Sequence, residues 1–256
     1  MSREIDQHQI AENVFAFTGT ETNWIIVQEG TELTLVDAGW HGNIKEVESS
    51  IRSLGRRPQD VRVVLLTHAH ADHTGALNYL HDNYDVPLYM DPLEVSNALG
   101  ETYQSGGPLD VVKQLYRPQV VRWAVRMIKA GGLKHHTFPS AQPFPQEGPL
   151  DLPGRPVPVA SPGHTSGHCS FLLPNAGVLI SGDALVTAHP TFNGVGPRLL
   201  PADWSHDQNE AIGSLGAFRD LDADMLIPGH GPVWHGSIDD AVDRVLEQVG
   251  RKDTVR

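Results

Sequence analysis

The 256-residue chain carries 31 acidic and 19 basic side chains, a formal charge of -12, and is long enough to build one large core. That acidic excess repels phosphate backbones and anionic lipid at long range, so neither nucleic acid nor a membrane is an expected partner. A single cysteine, Cys169, excludes an internal disulfide and any multi-cysteine metal site, and leaves 14 histidines as the metal-capable resource. The first residues, MSREIDQHQIAENVF, lack the apolar core of a signal peptide, and no window approaches the roughly 18 apolar residues of a bilayer span. A cytoplasmic location is expected.

In chain order, VFAF, NWIIV and LTLVDAG, with a turn at Gly30, read as three strands in an antiparallel start. Residues 43–56 place Ile44, Val47, Ile51 and Leu54 at helical spacing, with Gly55 as the stop. VRVVLL (61–66) follows, and its lack of alternation predicts a strand covered on both faces by helices. An α/β layered architecture results, read as one domain over 1–256 with a helical insert at about 92–137 and a C-terminal helix. Within the insert, Tyr116, Val120, Ala124, Met127 and Ile128 fall near one helical stripe, broken at its start by Pro118. The C-terminal helix aligns Ile238, Val242, Val245 and Val249.

Strand-like runs repeatedly end in residues that bind metals. VVLLTHAHADH packs His68, His70, Asp72 and His73 into six positions, PVPVASPGH ends at His164, GVLISGD at Asp183 and ADMLIPGH at His230. A glycine stands directly before the last three, which permits a close approach to whatever the side chain binds. A lone histidine after a strand is commonly a hydrogen-bonded structural residue. Three imidazoles and a carboxylate crowded together would repel or desolvate one another without a cation, so a metal is the economical explanation. Such ligands converge beyond the strand ends, where loops carry polar groups on a rigid scaffold.

The run His68-Ala69-His70-Ala71-Asp72-His73 matches an HxHxDH pattern, and with SPGH, SGD, PGHG and LVDAG in order the chain resembles the metallo-β-lactamase superfamily over nearly its whole length. The resemblance implies an αββα sandwich, two mixed β-sheets packed face to face and flanked by helices, with a dinuclear site at one edge. It also implies one metal site of His68, His70 and His164, a second of Asp72, His73 and His230, and Asp183 as the bridge. Two zinc ions are the expected cofactors, with iron or manganese as alternative metals. A hydroxide held between the cations would attack a carbonyl, and Asp72 would orient it as the catalytic residue.

Departures from relatives narrow the activity. The bridging Asp183 and the missing export signal set the chain apart from true β-lactamases, and the short C-terminal helix from glyoxalase II, whose helical extension helps bind glutathione. Lactonases commonly carry a tyrosine shortly after the bridging aspartate, and none follows Tyr116 here. Nucleases of the superfamily prefer basic surfaces, and flavodiiron proteins replace the second histidine. A hydrolase of a small-molecule ester, thioester or lactone is therefore expected. The alternative is an iron-dependent persulfide dioxygenase using His68, His164 and Asp183, and a β-lactamase or a non-catalytic metal protein ranks behind it.

Outside the ligand set, Tyr103, Trp123, Met127 and His168 are candidate substrate-binding residues, with the insert read as lid, homodimer face or plain packing. His168 reads equally as a structural histidine at a strand end. Asp37 reads as a loop-fixing residue, Cys169 as a small buried hydrophobe, and His189 and His235 as surface histidines beside the ligand loops. His135 and His136 carry no signal.

Overall fold

The structure, a computed structural model, describes residues 6–104, 108–134 and 136–253. His135 and the first five residues, read above, lie outside the described residues. A meander opens the chain: β1 (Asp6–Ala11), β2 (Val14–Thr18), β3 (Asn23–Glu29) and β4 (Glu32–Val36) pair antiparallel in sequence order. After α1 (Ile44–Ser53), β5 (Val61–Leu65) joins β4 in parallel, α2 (Leu77–Tyr84) crosses over, and β6 (Leu88–Met90) and β7 (Ala141–Pro143) complete a seven-stranded mixed sheet. Between β6 and β7 run α3 (Val95–Ala98), α4 (Pro108–Lys113) and α5 (Pro118–Lys129).

A second mixed sheet contains β8 (Val157–Ala160), β9 (Cys169–Leu173), β10 (Val178–Gly182), β11 (Met225–Pro228) and β12 (Trp234–His235), in the order β12-β11-β10-β9-β8. Only β10 and β11 pair in parallel, and α6 (Gln208–Ser214) lies in their connection. The chain then continues into α7 (Ile238–Asp253). Among the described residues no helix is long and apolar enough to cross a membrane.

Side-chain alternation with period two sorts the strand residues into layers. Trp24, Ile26, Leu33, Leu35 and Val64 pack outward with Val47, Ile51, Leu77 and Leu80 of α1 and α2. Ile25, Val27, Val63 and Leu65 turn inward to meet Phe171, Leu173, Val178 and Ile180 of the second sheet. Leu179 and Leu226 face the other way, against Ile238, Val242 and Val245 of α7. The result is helix, sheet, sheet, helix. It corrects the expectation for β5, which has helices on one face and a sheet on the other; either neighbour removes the strand from water, so both give the same continuous apolar run.

The insert helix also differs from its expected stripe. Pro118 does not break α5 but starts it, at the first-turn position where its missing N–H costs no hydrogen bond. Its buried face is Val120, Trp123 and Ala124, with Met127 packed beside them, while Tyr116 precedes the helix at 75% exposure and Ile128 is 50% exposed. Trp123 thus replaces the two outliers.

Candidate metal centre

Four loops at one edge of the sandwich bring the seven expected ligands together. His68, His70, Asp72 and His73 follow β5, His164 precedes β9, Asp183 follows β10 and His230 follows β11. One nitrogen each from His68, His70 and His164 forms a cluster with all ligand atoms within 4.8 Å, and Asp72, His73 and His230 form another within the same limit. Asp183 lies between them: its Oδ2 is 3.5 Å from His164 Nε2 and 3.2 Å from His230 Nε2, and its Oδ1 is 3.5 Å from His73 Nε2.

The glycines before two of these ligands have a definite purpose. A Cβ on Gly229 would stand 2.1 Å from Asp183 Oδ1 and 2.8 Å from His73 Cε1, inside the space where the ligands meet. Gly182 has φ +51°, which favours glycine, and a Cβ there would meet the His168 ring and Thr67 at 2.8 Å.

Hydrogen bonds on the far side of the His68, His70, His73 and His230 rings fix which nitrogen faces the centre. Asp37 Oδ2 accepts from His73 Nδ1 at 2.8 Å and from the Thr67 hydroxyl at 2.8 Å, and Thr67 Oγ1 in turn lies 3.0 Å from His68 Nδ1. His70 Nε2 donates to the Gln104 carbonyl at 2.8 Å, which leaves Nδ1 bare, and His230 Nδ1 donates to the Glu21 carbonyl at 2.7 Å. Asp37, the residue read as loop-fixing, therefore orients two rings at once.

The residues fit cations on this chain's own geometry. His68 Nε2, His73 Nε2 and Asp183 Oδ1 are buried and have no hydrogen-bond partner, and each such orphan costs about 1–3 kcal/mol. His70 Nδ1 and His164 Nε2 face each other at 3.0 Å. Imidazole nitrogens and carboxylate oxygens suit zinc and its neighbours, and a cation placed among them satisfies the lone pairs that protein groups leave open.

Charge is finely divided. Burial pushes the His68 and His164 rings well below the usual histidine range, and neighbouring imidazoles push them further, so both are neutral and ligand-ready. Burial also lowers His73, but Asp37, Asp72 and Asp183 outweigh it and raise its pKa to about 9. His230 rises for the same reason, opposed by burial and carried by Asp183 and Asp72. Burial would raise the Asp183 and Asp72 carboxyls, yet His230 and His73 hold both below the ordinary carboxylate range. Without a cation, protons on His73 and His230 supply the positive charge the carboxylates demand.

A family model, the metallo-beta-lactamase superfamily, matches residues 17–230. This chain belongs to that superfamily. The probable metallo-hydrolase YflN of Bacillus subtilis (strain 168) is 25% identical over 238 residues, 87% of this chain and 85% of the relative. The atrochrysone carboxyl ACP thioesterase of Aspergillus fumigatus is 25% identical over 232 residues, 90% of this chain and 56% of the relative. A metallo-beta-lactamase family protein of Thermus thermophilus superimposes with a TM-score of 0.60 at 23% identity, covering 91% of this chain and 76% of its own. BJP-1, a subclass B3 metallo-beta-lactamase of Bradyrhizobium japonicum, gives 0.66 at 16% identity, covering 97% and 93%. These structures share the αββα fold.

The substrate-binding candidates divide. His168 is a correction: it is buried, its Nε2 accepts the Asp183 backbone N–H at 3.0 Å and its Nδ1 meets Ser161 Oγ at 2.9 Å, so neither nitrogen is left for substrate. Trp123 is only 4% exposed and packs edge-on against His189 and Trp204, so it shapes the wall through His189 and offers little surface of its own. Met127 is half-buried beside it, and Tyr103 is 65% exposed on the loop just ahead of Gln104. His189, expected at the surface, is half-buried, with its ring 5.0 Å from that of His230. Cys169 is buried, as a small hydrophobe would be.

Two residues escaped notice altogether. Glu94 is fully buried, and its carboxylate receives the Ala69 N–H at 2.8 Å, the Thr165 hydroxyl at 2.7 Å and the Gly167 N–H at 3.2 Å, tying the loop of His68 and His70 to that of His164. Gln104 fixes His70 through its carbonyl and holds the Ser166 N–H at 2.8 Å through its side chain. Both lie in the insert. A lone Glu or Gln carries no spacing signal.

Proposed function

We propose that the chain is a hydrolase of a small-molecule ester, thioester or lactone, working with two zinc ions held by His68, His70 and His164 on one side and Asp72, His73 and His230 on the other. The observation that carries this reading is Asp183, whose two oxygens reach nitrogens of both triads at 3.2–3.5 Å, the arrangement one carboxylate needs to serve two cations. Cations bound there supply Lewis acidity toward a carbonyl and acidify water toward pH 7.

The protein's own groups do the rest. Asp72, kept ionised by His73 and His230, turns Oδ2 toward His230 Nε2 at 3.3 Å, so an anionic acceptor stands at the ligand edge to orient water. Asp37, Thr67, Gln104 and the Glu21 carbonyl hold the rings in place before substrate arrives, which removes a reorganisation cost from the reaction. The His189, Trp123 and Trp204 rings pack together and form the wall beside His230. Support from relatives is coarse: one is named a metallo-hydrolase and another a thioesterase.

The test is parallel hydrolysis and oxygen-electrode assays on zinc-loaded and iron-loaded protein, with thioesters, lactones and β-lactams as the panel. Cleavage of an ester, thioester or lactone by the zinc form, equal with and without air, is expected. Oxygen uptake with glutathione persulfide by the iron form, and hydrolysis by neither, would replace the hydrolase with the dioxygenase.

A further inference from the structure

Exposed apolar side chains concentrate in one part of the chain. Of the eleven exposed large hydrophobic residues among the described ones, seven lie between Val112 and Leu133, in the insert that carries α4 and α5. Soluble proteins scatter such residues singly, and a gathered set marks a surface that something covers.

On α5 the pattern is explicit. Its core face is Val120, Trp123 and Ala124, with Met127 beside them. With about 3.6 residues per turn, Val121, Val125 and Ile128 form a second apolar stripe on the outer side, 41–50% exposed. Arg122, Arg126 and Lys129, all exposed, form a cationic stripe next to it. Packing on the sandwich requires only the core face. Tyr116 and Leu133 flank the helix and are also exposed.

Charge on this segment is one-sided. Between Asp110 and Glu147 stand Lys113, Arg117, Arg122, Arg126, Lys129 and Lys134, and all 31 acidic residues of the chain lie outside that stretch. Arg117 is engaged by the Thr191 carbonyl and Arg126 by Glu21, while Arg122 and Lys129 make no ion pair with a described residue.

A second copy fits this face poorly. Two copies meeting through it across a two-fold axis would set six cations against six, with no carboxylate of the segment between them. A bilayer fits it well, because anionic headgroups answer the cationic stripe and aliphatic side chains enter the headgroup boundary without a shaped groove. The whole-chain charge of -12 repels such lipid at long range, but charges beyond about 8 Å are screened at physiological salt, so at contact the local face decides. No described helix is long and apolar enough to cross, so the contact is with the surface.

We infer that the outer face of α5 docks on an anionic lipid surface, Val121, Val125 and Ile128 entering the headgroup boundary while Arg122 and Lys129 meet lipid phosphates. The inner face of the same helix sets Trp123 against His189, whose ring lies 5.0 Å from that of His230, so docking brings lipid within one helix and two ring contacts of the metal centre. This goes beyond the hydrolase reading and does not depend on it.

The experiment floats the zinc-loaded full chain with vesicles of phosphatidylcholine alone, and of phosphatidylcholine with about one-third phosphatidylglycerol. The anionic vesicles are expected to carry at least about fivefold more protein at about 0.1 M salt, and to release most of it near about 1 M. The paired change Arg122→Gln with Lys129→Gln should cut partitioning at least about tenfold, and Val121→Ser with Val125→Ser at least about threefold. Metal content should stay at the wild-type level in both, since all four side chains are exposed. Equal binding to the two vesicle types, binding to neither, or full binding by either variant would overturn the proposal. Loss in the charge variant alone would make the face a general polyanion surface, and a dimer that the valine variant dissociates, without vesicle binding, would assign it to a second copy.

Discussion

His168 accepts the backbone N–H of Asp183 through Nε2 at 3.0 Å, while its Nδ1 sits 2.9 Å from Ser161 Oγ. Because Nε2 accepts, the proton must be on Nδ1 and donates to Ser161, whose hydroxyl meets Ser170 Oγ at 2.9 Å; Ser170 donates to the Ser181 carbonyl at 3.1 Å. Burial lowers the His168 pKa to about 3, so the ring stays neutral and keeps this role. A histidine outside the ligand set thereby fixes the backbone of the residue between the two triads.

His168→Ala should accordingly strand the buried Asp183 N–H and destabilise the protein by about 1–3 kcal/mol. Metal content should fall with it, and His168→Gln, which keeps an acceptor, should recover part of both. Thermal melts and metal analysis of the two variants check this. Wild-type stability and stoichiometry in the alanine variant would remove the positioning role.

Asp37→Asn tests the residue that orients His73 and Thr67. The amide cannot reproduce a charged acceptor for three donors, and losing such a partner typically costs 10–100-fold in metal affinity. Competition against a chromophoric chelator measures it. Affinity within twofold of wild type would show that His73 needs no such partner.

The cation should be taken up with proton release. His73 is held at about 9, so at pH 7.5 it carries a proton that a metal must displace, and His230, opposed by burial but raised by Asp183 and Asp72, adds to the release. Apparent affinity should climb with pH and level off near 9. In metal-free protein the sign is opposite: the ion pairs of these raised groups are fully present below about 6.5 and are lost as pH rises toward 9, so the melting temperature should fall over that window. Calorimetry in buffers of differing ionisation enthalpy reads the protons directly. A buffer-independent heat would contradict the charge assignment.

Glu94→Gln should loosen the insert from the metal loops. The carboxylate is fully buried and accepts from Ala69, Thr165, Gly167 and Asn97, so an amide leaves at least one donor opposed. A loss of about 2–4 kcal/mol in stability is expected, with weaker metal retention. Denaturant unfolding with and without chelator separates the two effects.

The ligands were legible because they cluster at strand ends, where the change from apolar run to His and Asp is abrupt. The strands from Val14 to Val36 were legible too, since apolar runs and the Gly30 turn bound them. What covers a strand was not: β5 looks the same against helices or against a second sheet. Two members of the expected α5 stripe, Tyr116 and Ile128, are exposed: Pro118 starts the helix, so Tyr116 precedes it, and Trp123 takes the buried face instead of Ile128. Glu94, Gln104 and the His168 contact to Asp183 depend on loops far apart in sequence meeting in space, and no local pattern records that.

Metal analysis of protein purified without chelator, set beside Asp183→Asn, tests the dinuclear account most directly. Two zinc ions per chain are expected in the wild type, and in the variant a loss of the second ion with hydrolysis down at least about tenfold, since an amide bridging two cations leaves their charge uncompensated. One stoichiometric iron with no second metal, or full occupancy and unchanged turnover in the variant, would contradict it.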